Sequence, residues 1–429
     1  MIWVLYNILF AIGFTLMMPR FIYRMARRGG YARHFLNRFG RYEPDLQEKL
    51  SGGGFIWIHA VSVGELYVAL LFMDGLRARK PGVKFFVTTT TSTGYRIGVS
   101  RVKAPDVLAY FPVDFPPIVR HVLNQIRPSA LITVENEMWP NLFRVAHGRG
   151  IPVYLLNGRI SVRSHRRYRM VRVFTRRLLG YVSKFCVQGD GDRDRLVDIG
   201  ADASRIHVVG TAKYDVAPSG SDGAGKARAV LASVGVGEDA QILLGGSTWA
   251  GEEAALLEVY AKLRQRFPQL TLVLVPRHAE RRADVVREIE SRGLTYVLKT
   301  ALREGPVPAT RPDVFVVDTT GELMSFYACA DVIFVGKSLT QHGGQNVIEP
   351  AVYAKPIIVG PHLENFPVVS KDFAAAEAFI QVADVKGLED AAARFLGDPA
   401  LRAGYGSRAA QLVKDKAGAV RKSLDLLPL

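Results

Sequence analysis

Phe55-Ile-Trp-Ile-His-Ala-Val-Ser-Val-Gly-Glu65 joins an apolar run to a carboxylate through small residues. Phe55 to Ile58 are almost wholly apolar, as in a strand covered on both faces. Ser62 and Gly64 break that pattern, and Leu66, Ala69, Leu70 and Met73 then recur at helical spacing. Strand, small-residue turn and helix place side chains and free backbone N–H groups at the carboxyl edge of a parallel sheet, where α/β proteins bind ligands. Glu65 falls in the first helical turn at that edge. It could equally do no more than complement the helix dipole. The spacing leaves both roles open.

Outward from this stretch the pattern repeats. Phe55–Ile58, Lys84–Thr88, Ala130–Val134, Pro152–Leu156 and Lys184–Val187 read as strands, with helices such as Phe115–Asn124 and Trp139–His147 between them. A linker-like run, Pro218-Ser-Gly-Ser-Asp-Gly-Ala-Gly225, follows. Strands then resume at Gln241–Leu244, Thr271–Val275, Val314–Val317, Val332–Val335 and Pro356–Val359. Helices Glu252–Gln265, Arg281–Ser291, Glu322–Ala330 and Asn346–Ala354 alternate with them. The expectation is an α/β protein with two doubly wound, Rossmann-like domains, 20–217 and 226–429, joined by a linker at 218–225. The last helix is expected to pack back on the first domain. A cleft between two such sheet edges suits a nucleotide-activated donor on one side and an acceptor on the other, though fold alone fixes no function.

With 429 residues, the chain exceeds the roughly 100–200 of one domain. Its 48% hydrophobic and 22% charged residues are ordinary globular composition and exclude disorder. The two cysteines, Cys186 and Cys329, fall in strand-like and helix-like segments and read as core residues of a reducing compartment. No Cys/His spacing points to zinc. Asp190-Gly-Asp-Arg-Asp194 resembles a calcium loop for three positions, but Arg195 stands where glycine is needed and Ala201 where a bidentate glutamate is needed. It reads as a helix start, and no metal is expected.

The net charge of +16 is clustered. Arg20, Arg24, Arg27, Arg28, Arg33, Arg38 and Arg41 form one group; Arg159, Arg163, Arg166, Arg167, Arg169, Arg172, Arg176 and Arg177 form another. Such patches suit nucleic acid, anionic lipid or a phosphorylated substrate. Interleaved stacking aromatics and a nucleic-acid-reading module are missing, so nucleic acid is not expected. Ile2 to Met18 is apolar except for Asn7, Gly13 and Thr15, at the short end of the roughly 17–25 residues that span a bilayer. No Lys or Arg precedes it and arginines follow directly, which predicts a membrane anchor at 1–19 with the body on the cytoplasmic side.

Glu135 and Glu137 close the strand Ala130–Val134, and residues two apart on a strand share a face. One glutamate for a site and one for structure is the expectation. In the second half, Gly245-Gly-Ser-Thr-Trp249 reads as an anion cradle before a helix, although it lacks the ending of a Walker loop. Val275-Pro-Arg-His278 places Arg277 where phosphate could bind. Gly321-Glu-Leu323 and Gly343-Gly-Gln-Asn-Val-Ile-Glu349 repeat the arrangement at two more edges.

His59-Ala-Val-Ser-Val-Gly-Glu65, Glu135-Asn-Glu-Met-Trp-Pro-Asn141, Asn157-Gly-Arg-Ile-Ser161, Val275-Pro-Arg-His278 and Gly343-Gly-Gln-Asn-Val-Ile-Glu-Pro350 stand in the order of the Kdo transferases of lipopolysaccharide synthesis. The chain resembles that family over essentially its whole length. The resemblance implies an inverting GT-B glycosyltransferase at the inner membrane, moving 3-deoxy-D-manno-octulosonate (Kdo) from CMP-Kdo to a lipid A precursor, lipid IVA. It implies Glu65 as general base, with Glu135 and Lys213 assisting the transition state. It also implies Pro276, Arg277, Gly321, Glu322, Leu323, Asn346, Val347, Ile348 and Glu349 as CMP contacts. CMP-Kdo would be the donor substrate, with no cofactor or metal. Lys337 replaces a glycine common in the family, Gln345 replaces its usual histidine, and Gly158 stands where alanine is usual. Alternatives are another GT-B transferase or epimerase, or a non-catalytic basic membrane-surface protein. The number of Kdo residues added and the acyl pattern of the acceptor are not legible here.

Overall fold

The computed structural model describes residues 2–28, 34–215, 222–303 and 310–429. It divides into two units, Met1–Asp215 with Ala417–Leu429, and Val216–Lys416.

In the first unit seven strands, β1 (Ile56–His59), β2 (Phe85–Thr89), β3 (Val107–Tyr110), β4 (Ala130–Val134), β5 (Val153–Gly158), β6 (Lys184–Val187) and β7 (Ile206–Val208), form one sheet. Its order is β3-β2-β1-β4-β5-β6-β7, and every pairing is parallel. The opening stretch shows why. Phe55 and Trp57 pack in one apolar layer, with Phe86 and Leu131. Ile56 and Ile58 pack in the other, with Leu66 and Phe72 of the Val63–Arg79 helix. A strand apolar on both faces has to be covered on both faces. Strand order reverses between β1 and β4, so the crevice beyond their carboxyl ends is the topological switch point at which such sheets bind ligands. The Ala419–Asp425 helix packs on this unit too, where Asp215 accepts from the backbone N–H groups of Gly418 and Val420 at its start.

The second sheet comprises β8 (Gln241–Thr248), β9 (Leu270–Pro276), β10 (Tyr296–Leu298), β11 (Val314–Val316), β12 (Val332–Val335), β13 (Ile357–Val359) and β14 (Ile380–Gln381). Its order is β10-β11-β9-β8-β12-β13-β14, again all parallel, and its switch point lies between β8 and β12.

Several boundaries differ from the sequence reading. β8 runs on through Gly245 and Gly246 to Thr248, so these residues are strand and not an anion-binding turn. Their glycines are there for close packing: a Cβ on Gly246 would collide with the Tyr327 ring and one on Gly245 with Leu256. The helix expected over Asn346–Ala354 is only Ile348–Ala351, because the Asn346 side chain accepts from the Ile348 N–H (3.1 Å) and starts it late. Of the run 218–225, positions 218–221 lie outside the described residues, and 222–225 open the alanine-rich Asp222–Ala232 helix. Asp190–Asp198 is a helix as expected, and Asp192 accepts from Ile160 N–H (2.9 Å) and Arg195 (2.9 Å). Both cysteines are buried and free, and burial pushes each thiol up to about 11.

The amino-terminal helix does not stop at residue 19 but spans Ile2–Arg28 through Pro19. Ile2–Pro19 is long and apolar enough to cross a membrane. Its first turns also dock on the unit's body. Trp3 lies against Phe174 (ring centroids 5.2 Å) and under the Arg144 guanidinium (5.0 Å), while Asn7 accepts from Asn141 (2.8 Å). Leu5, Leu9, Leu16 and Met17 face outward. Of the first basic group, Arg33 and the side chains of Arg20, Arg24, Arg27 and Arg28 lie outside the described residues. Arg38 is a correction: it is buried, donates to Thr90 C=O (2.8 Å) and stacks on Tyr110 (4.4 Å), so its guanidinium fills the core and forms no part of a surface patch. The second group does face solvent. Arg163, Arg166, Arg167 and Arg169 lie on the Val162–Met170 helix, and Arg172, Arg176 and Arg177 on Arg172–Leu179, beside exposed Val162, Met170, Val171 and Val173.

Candidate functional site

At the edge of β1, Ser62 caps the Val63–Arg79 helix, its Oγ accepting from the Glu65 N–H (3.4 Å). The Glu65 carboxylate reaches back: Oε1 accepts from the Ser62 hydroxyl (3.0 Å) and Oε2 from the Val61 N–H (2.8 Å). This is a variant of the capping box, with the carboxylate on the N–H of the residue before the cap, so the structural role of Glu65 is real. It occupies two of roughly four lone-pair sites on the carboxylate, which leaves room for a proton. His59, by contrast, is a core residue. Fully buried, it contacts Thr88 through Nδ1 and stacks on Phe111 (3.9 Å), and burial lowers its imidazole to about 3.

At the edge of β4 the backbone turns left-handed. Glu135 has φ 62° and Asn157, closing β5, has φ 54°. Non-glycine residues held this way cluster at functional sites. The turn at Glu135 ends the strand alternation, yet Glu135 and Glu137 both lie within electrostatic reach of Glu65. Lys213, on the Ala212–Asp215 turn, places Nζ 3.7 Å from Glu135 Oε1. Asn157 joins these parts: its Oδ1 accepts from the Ala212 N–H (3.0 Å), and its Nδ2 donates to Glu135 Oε1 (3.5 Å). Sequence reading quoted Asn157 within a motif but missed this bridging role, which depends on a residue 55 positions away.

The Lys213 ammonium thus acts on both Glu135 and Glu65. Burial raises Glu65 above the usual carboxylate range, and the neighbouring Glu135 raises it further, against the Val61 N–H, Ser62 and Lys213. Glu137 is pushed up to about 7, by burial first and then by Glu65. A carboxyl raised in the folded state favours folding at low pH, and that contribution is lost as pH rises from its ordinary value near 4.5 through about 7. Glu137→Gln is thus expected to be more stable than the parent at pH 8, by about 1–2 kcal/mol, and level with it below pH 4.5. Melting temperatures across that range check this. Parallel curves would contradict it.

The second unit has its own edge, beyond β8 and β12. Glu252 is fully buried there and fixes the loops. Its Oε2 accepts from Trp249 N–H (2.9 Å) and Lys337 N–H (2.7 Å), and its Oε1 from Ser338 N–H (2.9 Å) and Leu339 N–H (3.0 Å). Of the run expected to cradle an external anion, the Trp249 N–H is taken by the chain's own carboxylate. Arg277, after β9, is exposed, and its guanidinium acts electrostatically on Glu349 and on the buried Tyr327. Asn346 donates to Glu349 Oε1 (3.2 Å). Glu322 pairs with Lys299 (2.8 Å) and accepts from the Thr319 hydroxyl, after Gly321 at φ 90°. Pro276, Val347 and Ile348 are buried, which leaves their backbones as the groups able to meet a ligand. Leu323 opens its helix half-exposed. Arg277, Asn346 and Glu349 thus converge, while Gly321, Glu322 and Leu323 lie at the neighbouring β11 edge. Tyr327, Trp249 and Lys299 were missed by sequence reading, since only the fold brings them to these edges.

A family model described as 3-deoxy-D-manno-octulosonic-acid transferase (kdotransferase) matches residues 33–216. The 3-deoxy-D-manno-octulosonic acid transferase of Bordetella pertussis is 33% identical over 95% of this chain and 94% of its own length. That of Haemophilus influenzae is 30% identical over 92% of this chain and 91% of its own. The chain belongs to the Kdo transferase family. Among solved structures, Anabaena HepE with UDP has a TM-score of 0.56 at 13% identity, covering 87% of this chain and 98% of that one. A UDP-N-acetylglucosamine 2-epimerase has a TM-score of 0.56 at 14% identity, covering 87% and 94%. These show the fold, two parallel-sheet α/β domains of the GT-B type. As a Kdo transferase the chain is an enzyme, and the non-catalytic alternative falls away.

The departures from the Kdo transferase pattern have physical consequences. Lys337 has φ 56°, the left-handed region that glycine enters without cost, so the usual glycine suits that backbone. Here the lysine ammonium lies over the Trp249 ring (4.7 Å). Among the described residues, one further group of metal-ligating side chains comes together, His342, His362 and Glu364. It is not apparent from sequence spacing.

Proposed function

We propose that the protein transfers Kdo from CMP-Kdo to a lipid A precursor, with inversion at the anomeric carbon. The first unit takes the acceptor and the second the CMP-sugar. Glu65 removes the proton of the attacking hydroxyl as the new carbon–oxygen bond forms. The bond from the anomeric carbon to the phosphate oxygen breaks, and CMP departs with the electron pair. Glu135 and Lys213 assist at the acceptor edge. Arg277 holds the leaving phosphate, and Pro276, Gly321, Glu322, Leu323, Asn346, Val347, Ile348 and Glu349 line the nucleotide. The observation that carries this reading is the convergence of Glu65, Glu135 and Lys213 on the β1/β4 switch point in a chain of this family. A carboxylate raised by burial is a stronger base than one in water, as proton abstraction near neutral pH requires.

Arg277→Ala is expected to weaken CMP binding at least tenfold, since a charge-assisted contact to phosphate is worth about 1.5–3 kcal/mol. Titration calorimetry measures it, and an unchanged affinity would remove Arg277 from the phosphate site. We propose that the transfer step uses no metal: a single phosphate leaves with less charge than a diphosphate, and cations suffice. Initial rates in excess EDTA should match untreated enzyme, and recovery only on adding magnesium would defeat this.

The protein is proposed to work at the cytoplasmic face of the inner membrane. Trp3 and Asn7 are held on the body itself, which favours lateral embedding of the apolar helix over a clean span. The exposed arginines and apolar residues at 162–177 suit anionic lipid.

A further inference from the structure

We propose that His342, His362 and Glu364 form a binding site for a divalent transition-metal ion, best suited to Zn2+. The two imidazoles arrive from different loops, one after β12 and one after β13, and both aim Nδ1 at the same oxygen. His342 Nδ1 and His362 Nδ1 each lie 3.2 Å from Glu364 Oε1, and the rings are 3.8 Å apart at 49°. Donor atoms from all three side chains lie within 4.8 Å of one another. Zinc binds nitrogen at about 2.0–2.1 Å and carboxylate oxygen at about 2.0–2.2 Å, so two ligands on a tetrahedral ion stand about 3.3 Å apart. The two nitrogen–oxygen separations match that spacing.

Two nitrogens and one oxygen are a donor set that zinc uses with a fourth position open. That position can face water, because the His342 side chain is 78% exposed. The carboxylate is oriented from behind: Glu364 Oε2 accepts from the Gly343 N–H (2.7 Å), the kind of outer contact that fixes a metal ligand. Backbone bonds also lock the loops in register. His362 N–H donates to Ser338 C=O (2.9 Å), Asn365 N–H to Gly343 C=O (2.9 Å) and Gly344 N–H to Lys337 C=O (2.7 Å). The scaffold is thus built before the ion arrives.

Without the ion, both Nδ1 atoms stand within hydrogen-bond distance of one carboxylate oxygen. With it, both histidines carry their proton on Nε2 and offer the Nδ1 lone pair. No covalent or redox step is involved. The ion clips the loop after β12 to the loop after β13, next to Asn346. It serves loop rigidity and stays outside the transfer chemistry.

The test uses the full-length chain, purified without a polyhistidine tag and stripped with EDTA. Co2+ is titrated first, with the visible absorption of four-coordinate cobalt as readout, and Zn2+ is then used to displace it. Calorimetry with Zn2+ alone gives the affinity. One equivalent at micromolar affinity and a rise in melting temperature with Zn2+ are expected. His342→Ala, His362→Ala and Glu364→Gln should each weaken binding at least tenfold and abolish the thermal shift. His165→Ala, at a histidine paired with Asp198 in the first unit, should change neither. The absence of stoichiometric binding, or unchanged affinity in His342→Ala, would overturn the site.

Discussion

Glu65→Gln is expected to slow Kdo transfer by roughly 10²–10⁴-fold, the usual scale for losing a general base. The amide keeps the size of the carboxylate and can still accept one of the two capping contacts, from Val61 N–H or the Ser62 hydroxyl. The cap therefore weakens, at about 0.5–1 kcal/mol, but the helix stays. CMP affinity should be unchanged, because the proposed donor residues belong to the other unit. Separating kcat from CMP binding is what distinguishes a base from a cap. A merely structural Glu65 would lower melting temperature and rate together, and only slightly. Glu135→Gln serves as the comparison: it removes the ionic partner of Lys213, and a smaller loss of rate is expected. Near-normal turnover in Glu65→Gln would shift the proton transfer to Glu135 or Glu137.

Glu252→Ala should be the most damaging single change to stability in the second unit. The carboxylate is wholly buried and accepts from four backbone N–H groups, on three of which the loop after β12 depends. Each orphaned buried donor costs about 1–3 kcal/mol, and water entering the gap recovers only part of that. A loss of at least about 4 kcal/mol is expected, with CMP binding lost alongside, since the loop leads directly to Asn346 and Glu349. Glu252→Gln should also destabilise, because its NH2 group would face N–H donors. Urea unfolding and melting curves measure both, and a variant that melts within about 2 °C of the parent would contradict the role given to Glu252.

Legibility in the sequence follows burial. β4, β6 and β12 were read to the residue, and β1 to within one, because strands covered on both faces are unbroken apolar runs. The strands that went unread, β3, β7, β10 and β14, are the four sheet edges. They are two to four residues long and each has a partly exposed position, so even an apolar run such as Val107-Leu-Ala-Tyr110 is too short to show a pattern. Gly245 and Gly246 were misread for the opposite reason: glycine is a turn signal locally, but here it makes room for Tyr327, some eighty residues on. Glu65 was legible because its cap is local, within four residues. The role of Glu252 was hidden, since three of its four partners lie 85 to 87 positions away. His342 and His362 meet only through the pairing of β12 with β13.

The mass of the product reports the reaction itself. Purified enzyme is incubated with CMP-Kdo and a lipid A precursor, in parallel with Glu65→Gln, and the lipid is followed by mass spectrometry. Acceptor carrying added Kdo is expected, in whole-residue steps, with free CMP formed in equal amount and almost none of either from the variant over the same time. Acceptor of unchanged mass, or transfer from a UDP-sugar in place of CMP-Kdo, would contradict it.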